Sequence, residues 1–343
     1  MLASTLRRSS ARAVGHAPRT ALPGRRVLCS APKDRSVSAA MPLGVGVATG
    51  GVAGVVSALT GVGGGIILIP ALAKFTALSQ QAINGTSLGA VALAASVGAW
   101  NYLESGACNV PLALTTTIPA IIATKYGVRT AHRLTSKKLS LVVGSAMLLC
   151  SPLIFLKNSP YMPKWSDSQD PLDLQFFVPQ LKDLEKARKS VGEGEEHASV
   201  ADTAAAVSAE YMERVKTDWA GFAMVNTKYV FAGAAAGFIS GLCGLGGGIL
   251  ITSYLTAASD MPQATIIGTS LLSVVPTAAS STVFNLRAKS IHLPTAARIG
   301  GSLAAGVYVT SKYVTQDVPE DILRGVLGTT LGAAALVMMR RAI

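Results

Sequence analysis

A helix cannot run unbroken through four glycines in five residues, and this chain has two such runs. Gly61-Val-Gly-Gly-Gly-Ile66 is one and Gly244-Leu-Gly-Gly-Gly-Ile249 the other. Each glycine costs a helix interior roughly 1 kcal/mol against alanine. A shift of 183 residues carries the first run onto the second. The same shift, without a gap, carries Gly85-Thr-Ser-Leu88 onto Gly268-Thr-Ser-Leu271 and Pro111 onto Pro294. Separate blocks that match at one offset mark an internal duplication. The halves run over 43–157 and 222–341, with a leader over 1–40 and a polar stretch over 158–221.

The stretches around the glycines are apolar. Half of the 343 residues are hydrophobic and 14% are charged, against about 25% charged in ordinary globular chains. Of the 18 acids, 12 lie between Asp167 and Asp218. Apolar segments occupy 43–60, 66–79, 84–103, 110–126 and 139–156, then 225–243, 249–259, 264–286, 293–311 and 321–339. A bilayer core of ~30 Å needs about 20 such residues in a helix. The expected fold is therefore all-α and polytopic, an integral membrane protein with two homologous halves of four or five helical segments each. Segments 66–79 and 249–259 are too short to span and read as half-helices. Duplication within an apolar chain is a mark of secondary transporters.

Charge sets further expectations. The basic loop Lys125–Lys138 holds five bases and no acid, which places it on the inner side. If each short segment counts as a crossing, the halves are inverted, and Arg287, Lys289 and Arg340–Arg341 are inner as well. If the short segments turn back, the halves are parallel and Arg287 and Lys289 become outer, a poorer fit. The linker is read as acidic, solvated and outside the bilayer, with a helix over Ser199–Trp219. Residues 1–36 carry eight bases and one acid and lack an apolar signal core, the composition of an organelle transit peptide. Its arginines favour the mitochondrial inner membrane, with a plastid as the alternative. Much of the net charge of +12 lies in that leader, which argues against nucleic-acid binding. Cys29, Cys108, Cys150 and Cys243 show neither disulfide-framework nor metal-ligand spacing.

The glycine runs are the candidate substrate site. Irregular backbone survives in lipid only where protein buries it or it lines a cavity. The helix after such a break begins with free N–H groups and a partial positive charge, a place for an anion that needs no Lys or Arg. Gly61, Gly63, Gly64 and Gly65 form one such break, and Gly244, Gly246, Gly247 and Gly248 the other. Close helix packing is the competing use of glycine in membranes. Thr86, Ser87, Thr269 and Ser270 place hydroxyls at the start of the next helix, either to cap it or to line the pocket. Arg298 lies well inside an apolar segment, so it reads either as an anion ligand or as a snorkelling side chain.

This arrangement resembles the sulfite exporter (TauE/SafE) family of membrane transporters. The residues that carry the resemblance are Gly61-Val-Gly-Gly-Gly-Ile66 with Pro70, then Asn84-Gly-Thr-Ser87, and in the second half Gly244-Leu-Gly-Gly-Gly-Ile249 with Gly268-Thr-Ser270. It implies a multi-pass permease for sulfur-containing anions such as sulfite or sulfonates. The chain departs from the pattern at Ser253, where the first half has Pro70, and in its long linker and leader.

The expectation is a secondary transporter of a small anion by alternating access, embedded in a lipid bilayer and requiring no cofactor. Its coupling ion, proton or sodium, and its oligomeric state are left open. A passive anion channel and a membrane assembly protein acting through the linker are the rivals. An enzyme is disfavoured because no His/Asp/Glu cluster falls in the spans.

Overall fold

The computed structural model describes residues 41–155, 172–176, 213, 215–314 and 318–342. The leader, most of the linker and most of the helix expected over 199–219 lie outside the described residues. The first half forms α1 (Leu43–Thr60), α2 (Gly65–Phe75), α3 (Gln80–Glu104), α4 (Val110–Arg133) and α5 (Ser136–Phe155). The second forms α6 (Trp219–Cys243), α7 (Gly248–Ala258), α8 (Gln263–Arg287), α9 (Leu293–Tyr313) and α10 (Glu320–Ala342). The 183-residue shift carries the end of α1 onto that of α6, and the starts of α2, α3 and α4 onto those of α7, α8 and α9. Among the described residues five helices, α1, α3, α6, α8 and α10, are long and apolar enough to cross a membrane. The 11-residue α2 and α7 reach only ~16 Å at 1.5 Å per residue. The protein is a multi-pass, all-helical membrane protein.

The halves are interlocked rather than side by side. The first helix of each packs along the fourth helix of the other, α1 on α9 and α6 on α4. Glycines make this close approach. A Cβ added to Gly233 would lie 2.1 Å from the Thr116 carbonyl oxygen, and one added to Gly237 would lie 2.1 Å from that of Ala120. Their repeats Gly50 and Gly54 meet Ile299 O at 2.9 Å and Leu303 O at 2.4 Å. Lipid tails supply no hydrophobic drive between helices, so backbone-to-backbone packing at small residues takes its place.

Corresponding helices of the two halves run antiparallel. Ser140 Oγ donates to Met338 O at 3.3 Å and Ser151 Oγ to Gly328 O at 3.2 Å, which sets α5 against α10. Gly85, early in α3, lies against Asn285 and Ser290 at the end of α8, whereas Gly98 lies against Leu271. By contrast α4 and α6 run parallel, with Thr116, Ala120 and Thr124 matched to Gly233, Gly237 and Gly241. Helices α3 and α8 are the most buried of the long apolar helices and form the centre.

Two local expectations change. The basic stretch from Lys125 is not a loop: α4 continues through Arg133, and only Leu134 and Thr135 join it to α5. No Pro interrupts residues 125–133, and Lys125, Arg129 and Arg133 are exposed, so the helix outruns its apolar part. The linker is not wholly solvated either, for a short 3₁₀ turn, Leu174–Phe176, is built into the fold. Asn109 Nδ2 donates to Leu174 O at 2.7 Å, and Leu174 N donates to Asn226 Oδ1 at 3.0 Å. Asp173, 1% exposed, accepts from Tyr229 Oη at 2.8 Å and pairs with Lys228. Sequence polarity marked this segment as surface, but Asp173 and the Leu174 backbone find their partners on α4 and α6.

Candidate functional site: the glycine junction

Each glycine run repeats the same backbone. Gly61, Gly63 and Gly64 have φ of 73°, 83° and 79°, and Gly244, Gly246 and Gly247 have 80°, 81° and 82°. At Gly64 and Gly247, the residues that precede α2 and α7, this left-handed conformation is open to glycine at little cost. Neither residue has a side chain to cap its helix, and no side-chain cap is made. The chain folds back at the break, so that a Cβ on Gly64 would lie 3.2 Å from Ala53 O, two turns earlier on α1.

The two runs meet. A Cβ on Gly65 would stand 3.1 Å from Leu245 Cα, and one on Gly248 would stand 2.7 Å from Gly61 O. Both runs are sandwiched between the middles of α3 and α8: Gly63 and Gly246 each face Val91 and Val274, a pair that the 183-residue shift interchanges. Ser270 ties the runs together, its Oγ lying 3.0 Å from Gly61 O and 3.3 Å from Gly248 O. Thr252 Oγ1 donates to Ser270 Oγ at 2.8 Å. Residues 61–66 and 244–249 are buried, and neither segment holds a charged residue.

The structure thus brings all eight predicted glycines and Ser270 to one place. Ser87, the repeat of Ser270, is buried in α3, and its hydroxyl has no hydrogen-bond partner among the described residues. Thr86 and Thr269 are engaged elsewhere. Thr86 Oγ1 accepts from His292 N at 3.1 Å, and Thr269 Oγ1 accepts from Asn109 N at 2.9 Å. Each therefore fixes the start of the other half's fourth helix. Arg298 does not reach the junction: it is exposed on α9, next to buried Ile299. An arginine six residues into its helix is within reach of the membrane surface by snorkelling.

Sequence reading missed Ser57 and Ser240. Both are fully buried one turn before a glycine run, and neither hydroxyl has a partner among the described residues. The signal was available, since the 183-residue shift interchanges them. A hydroxyl in an apolar helix ordinarily bonds its own backbone one turn back, as Thr60 does to Val56 O at 2.7 Å.

Two helical halves whose broken helices meet in a charge-free centre define a polytopic membrane protein. The sequence profile of the sulfite exporter TauE/SafE family matches residues 18–190 and 229–343, and the chain belongs to that family. The match begins inside the expected leader and extends into the linker. The chain is similar to a probable membrane transporter protein of Methanocaldococcus jannaschii, at 31% identity over 106 residues. That match takes 29% of this chain and 40% of the relative's length. No solved structure matches the chain.

Proposed function

We propose that the protein is a secondary transporter of small anions, most directly sulfite, a sulfonate or a related organic anion, and that the glycine junction is its substrate site. The observation that carries this reading is the meeting of two uncapped half-helix starts in a buried, charge-free centre. Main-chain N–H groups at a helix start attract an anion without a cationic side chain, and the attraction is strongest where water is excluded. The antiparallel contacts of α3 with α8 and of α5 with α10 support inverted repeats. In that arrangement one half rocks against the other around a fixed central site. The basic end of α4, Arg287 and the C-terminal arginines then share the inner side. The arginine-rich leader supports an organelle membrane, with the mitochondrial inner membrane as the first choice.

The test is uptake of radiolabelled sulfite, sulfate, sulfonates and carboxylates into proteoliposomes holding the full-length protein. Gly64→Leu and Gly247→Leu should each abolish uptake, and because each also strains a left-handed glycine backbone, the yield of inserted, monodisperse protein is measured beside the rate. Stimulation of uptake by unlabelled substrate on the opposite face separates a carrier from a passive channel. Wild-type rates in both leucine variants would remove the junction from the mechanism.

A further inference from the structure

Four oxygen atoms converge where the two glycine runs meet. Ser270 Oγ lies 3.0 Å from Gly61 O, 3.3 Å from Gly248 O and 2.8 Å from Thr252 Oγ1, and Thr252 Oγ1 lies 3.5 Å from Gly61 O. Each of the two hydroxyls carries a single proton. Two protons fill two of these four approaches, and the other two set oxygen lone pairs against one another. A serine in an apolar helix ordinarily bonds the carbonyl one turn back, but Ser270 is turned to this cluster instead. Gly61 ends α1, so its carbonyl stands at the negative end of that helix. All four residues are buried, and neither glycine run nor α7 contains an acid or a base. The other half lacks the arrangement. The 183-residue shift puts Ile69 where Thr252 stands and Ser87 where Ser270 stands, and the Ser87 hydroxyl has no hydrogen-bond partner among the described residues. Packing alone asks for no hydroxyl at 252, since Ile69 fills the equivalent place.

We infer that Gly61 O, Gly248 O, Thr252 Oγ1 and Ser270 Oγ form a site for one sodium ion, and that sodium is the coupling ion of transport. This rests on the anion-transport reading above and deepens it. A cation supplies the positive charge that the proton-poor cluster lacks. Sodium is close in size to Ca²⁺, which oxygens hold at about 2.3–2.6 Å, so neighbouring ligand oxygens stand roughly 3.3–3.7 Å apart. The four oxygens are on average a few tenths of an ångström tighter than that, and they reach it when the hydroxyl protons turn away from the centre. Potassium is larger and asks for a wider ring. A divalent ion of sodium's size gives up about four times as much hydration, and no carboxylate in the runs replaces it. Broken helices serve both signs of charge, with N–H groups of a half-helix start turned to an anion and freed carbonyls to a cation. In a charge-free centre an anion and a sodium ion bound together bury less net charge than either alone, so each raises the affinity for the other.

The experiment uses the full-length protein with sodium chloride as the probe, replaced by potassium or choline chloride at constant ionic strength. In detergent, sodium should raise the melting temperature of the wild type above its value in choline, and potassium should not. In proteoliposomes, an inward sodium gradient should drive uptake of radiolabelled sulfite above the level reached in choline. Thr252→Val keeps the shape and removes one ligand. It should raise the sodium concentration for half-maximal uptake by about tenfold or more, the loss expected for one contact to a charged group, and abolish the thermal shift. Its KM for sulfite at saturating sodium should stay within about twofold of wild type. Thr252→Ser should restore the sodium response. A threonine that serves only the fold would change the melting temperature equally in sodium and choline and leave the sodium dependence as in the wild type. That result, or sulfite uptake at one rate in sodium, potassium and choline, would overturn the inference while leaving anion transport intact. A sodium-dependent melting temperature that is lost in Thr252→Val, in a protein that takes up no anion, would keep the sodium site and remove the transport reading beneath its coupling role.

Discussion

Thr269 holds the start of a helix that belongs to the other half of the molecule. Its hydroxyl accepts from the backbone N–H of Asn109 at 2.9 Å, while the Asn109 side chain caps α4 through Leu112 N at 3.1 Å. The same Asn109 side chain donates to Leu174 O at 2.7 Å, so one fully buried residue joins α8, α4 and the linker turn. Thr269→Val keeps the shape but strands the Asn109 N–H. The variant should lose about 1–3 kcal/mol of stability, read as a lower melting temperature in detergent, with the KM for a transported anion unchanged. A raised KM at wild-type stability would return Thr269 to the substrate site.

Gly237 admits no side chain, because the Ala120 carbonyl oxygen lies 2.1 Å from where a Cβ would stand. Backbone cannot yield there as the tip of a flexible side chain can. Gly237→Val should separate α6 from α4 and cost roughly 1–3 kcal/mol or more. The expected result is loss of monodisperse protein. Gly301→Val is the control, as nothing stands within 4 Å of its added Cβ.

Arg298→Ala should leave transport within about twofold of wild type, since the exposed Arg298 serves the membrane interface. A large rise in KM would place the guanidinium in the substrate path.

Lys228 and Asp173 form an ion pair with side-chain exposures of 20% and 1%. Removing one partner from a buried pair is costly because the other charge is left alone, by about 3–5 kcal/mol at full burial. Asp173→Ala should lower the melting temperature sharply, and the further change Lys228→Met should restore part of the loss. A double variant as unstable as the sum of the single ones would show that the two do not act as a pair.

The proposed inverted arrangement of the halves predicts the side of each connection. Single cysteines at 134 and 289 should react with an impermeant maleimide from one face, and a cysteine at 160 from the other. The native thiols offer little background outside the leader. Cys108, Cys150 and Cys243 are buried, and burial pushes the Cys108 thiol up to about 12, so its reactive thiolate is scarce at neutral pH. Reaction of 134 and 289 from opposite faces would instead establish parallel halves.

By itself the sequence determined the membrane class, the duplication at 183 residues and both helix breaks, because these follow from local chemistry. Apolar length sets a span, and consecutive glycines end a helix wherever they occur. Thus α1, α2 and α7 end within a few residues of the limits set by apolar runs and glycines. Tertiary structure decided which side chains point at the junction. Thr86 and Ser87 are adjacent, yet one accepts from His292 N just before the other half's fourth helix and the other is buried without a partner among the described residues. Arg298 and Ile299 are neighbours, yet one is exposed and the other 1% exposed. Adjacent helix positions point about 100° apart, and α3 carries little polarity contrast to betray its inner face. Only the interlocking of first with fourth helices sets such faces.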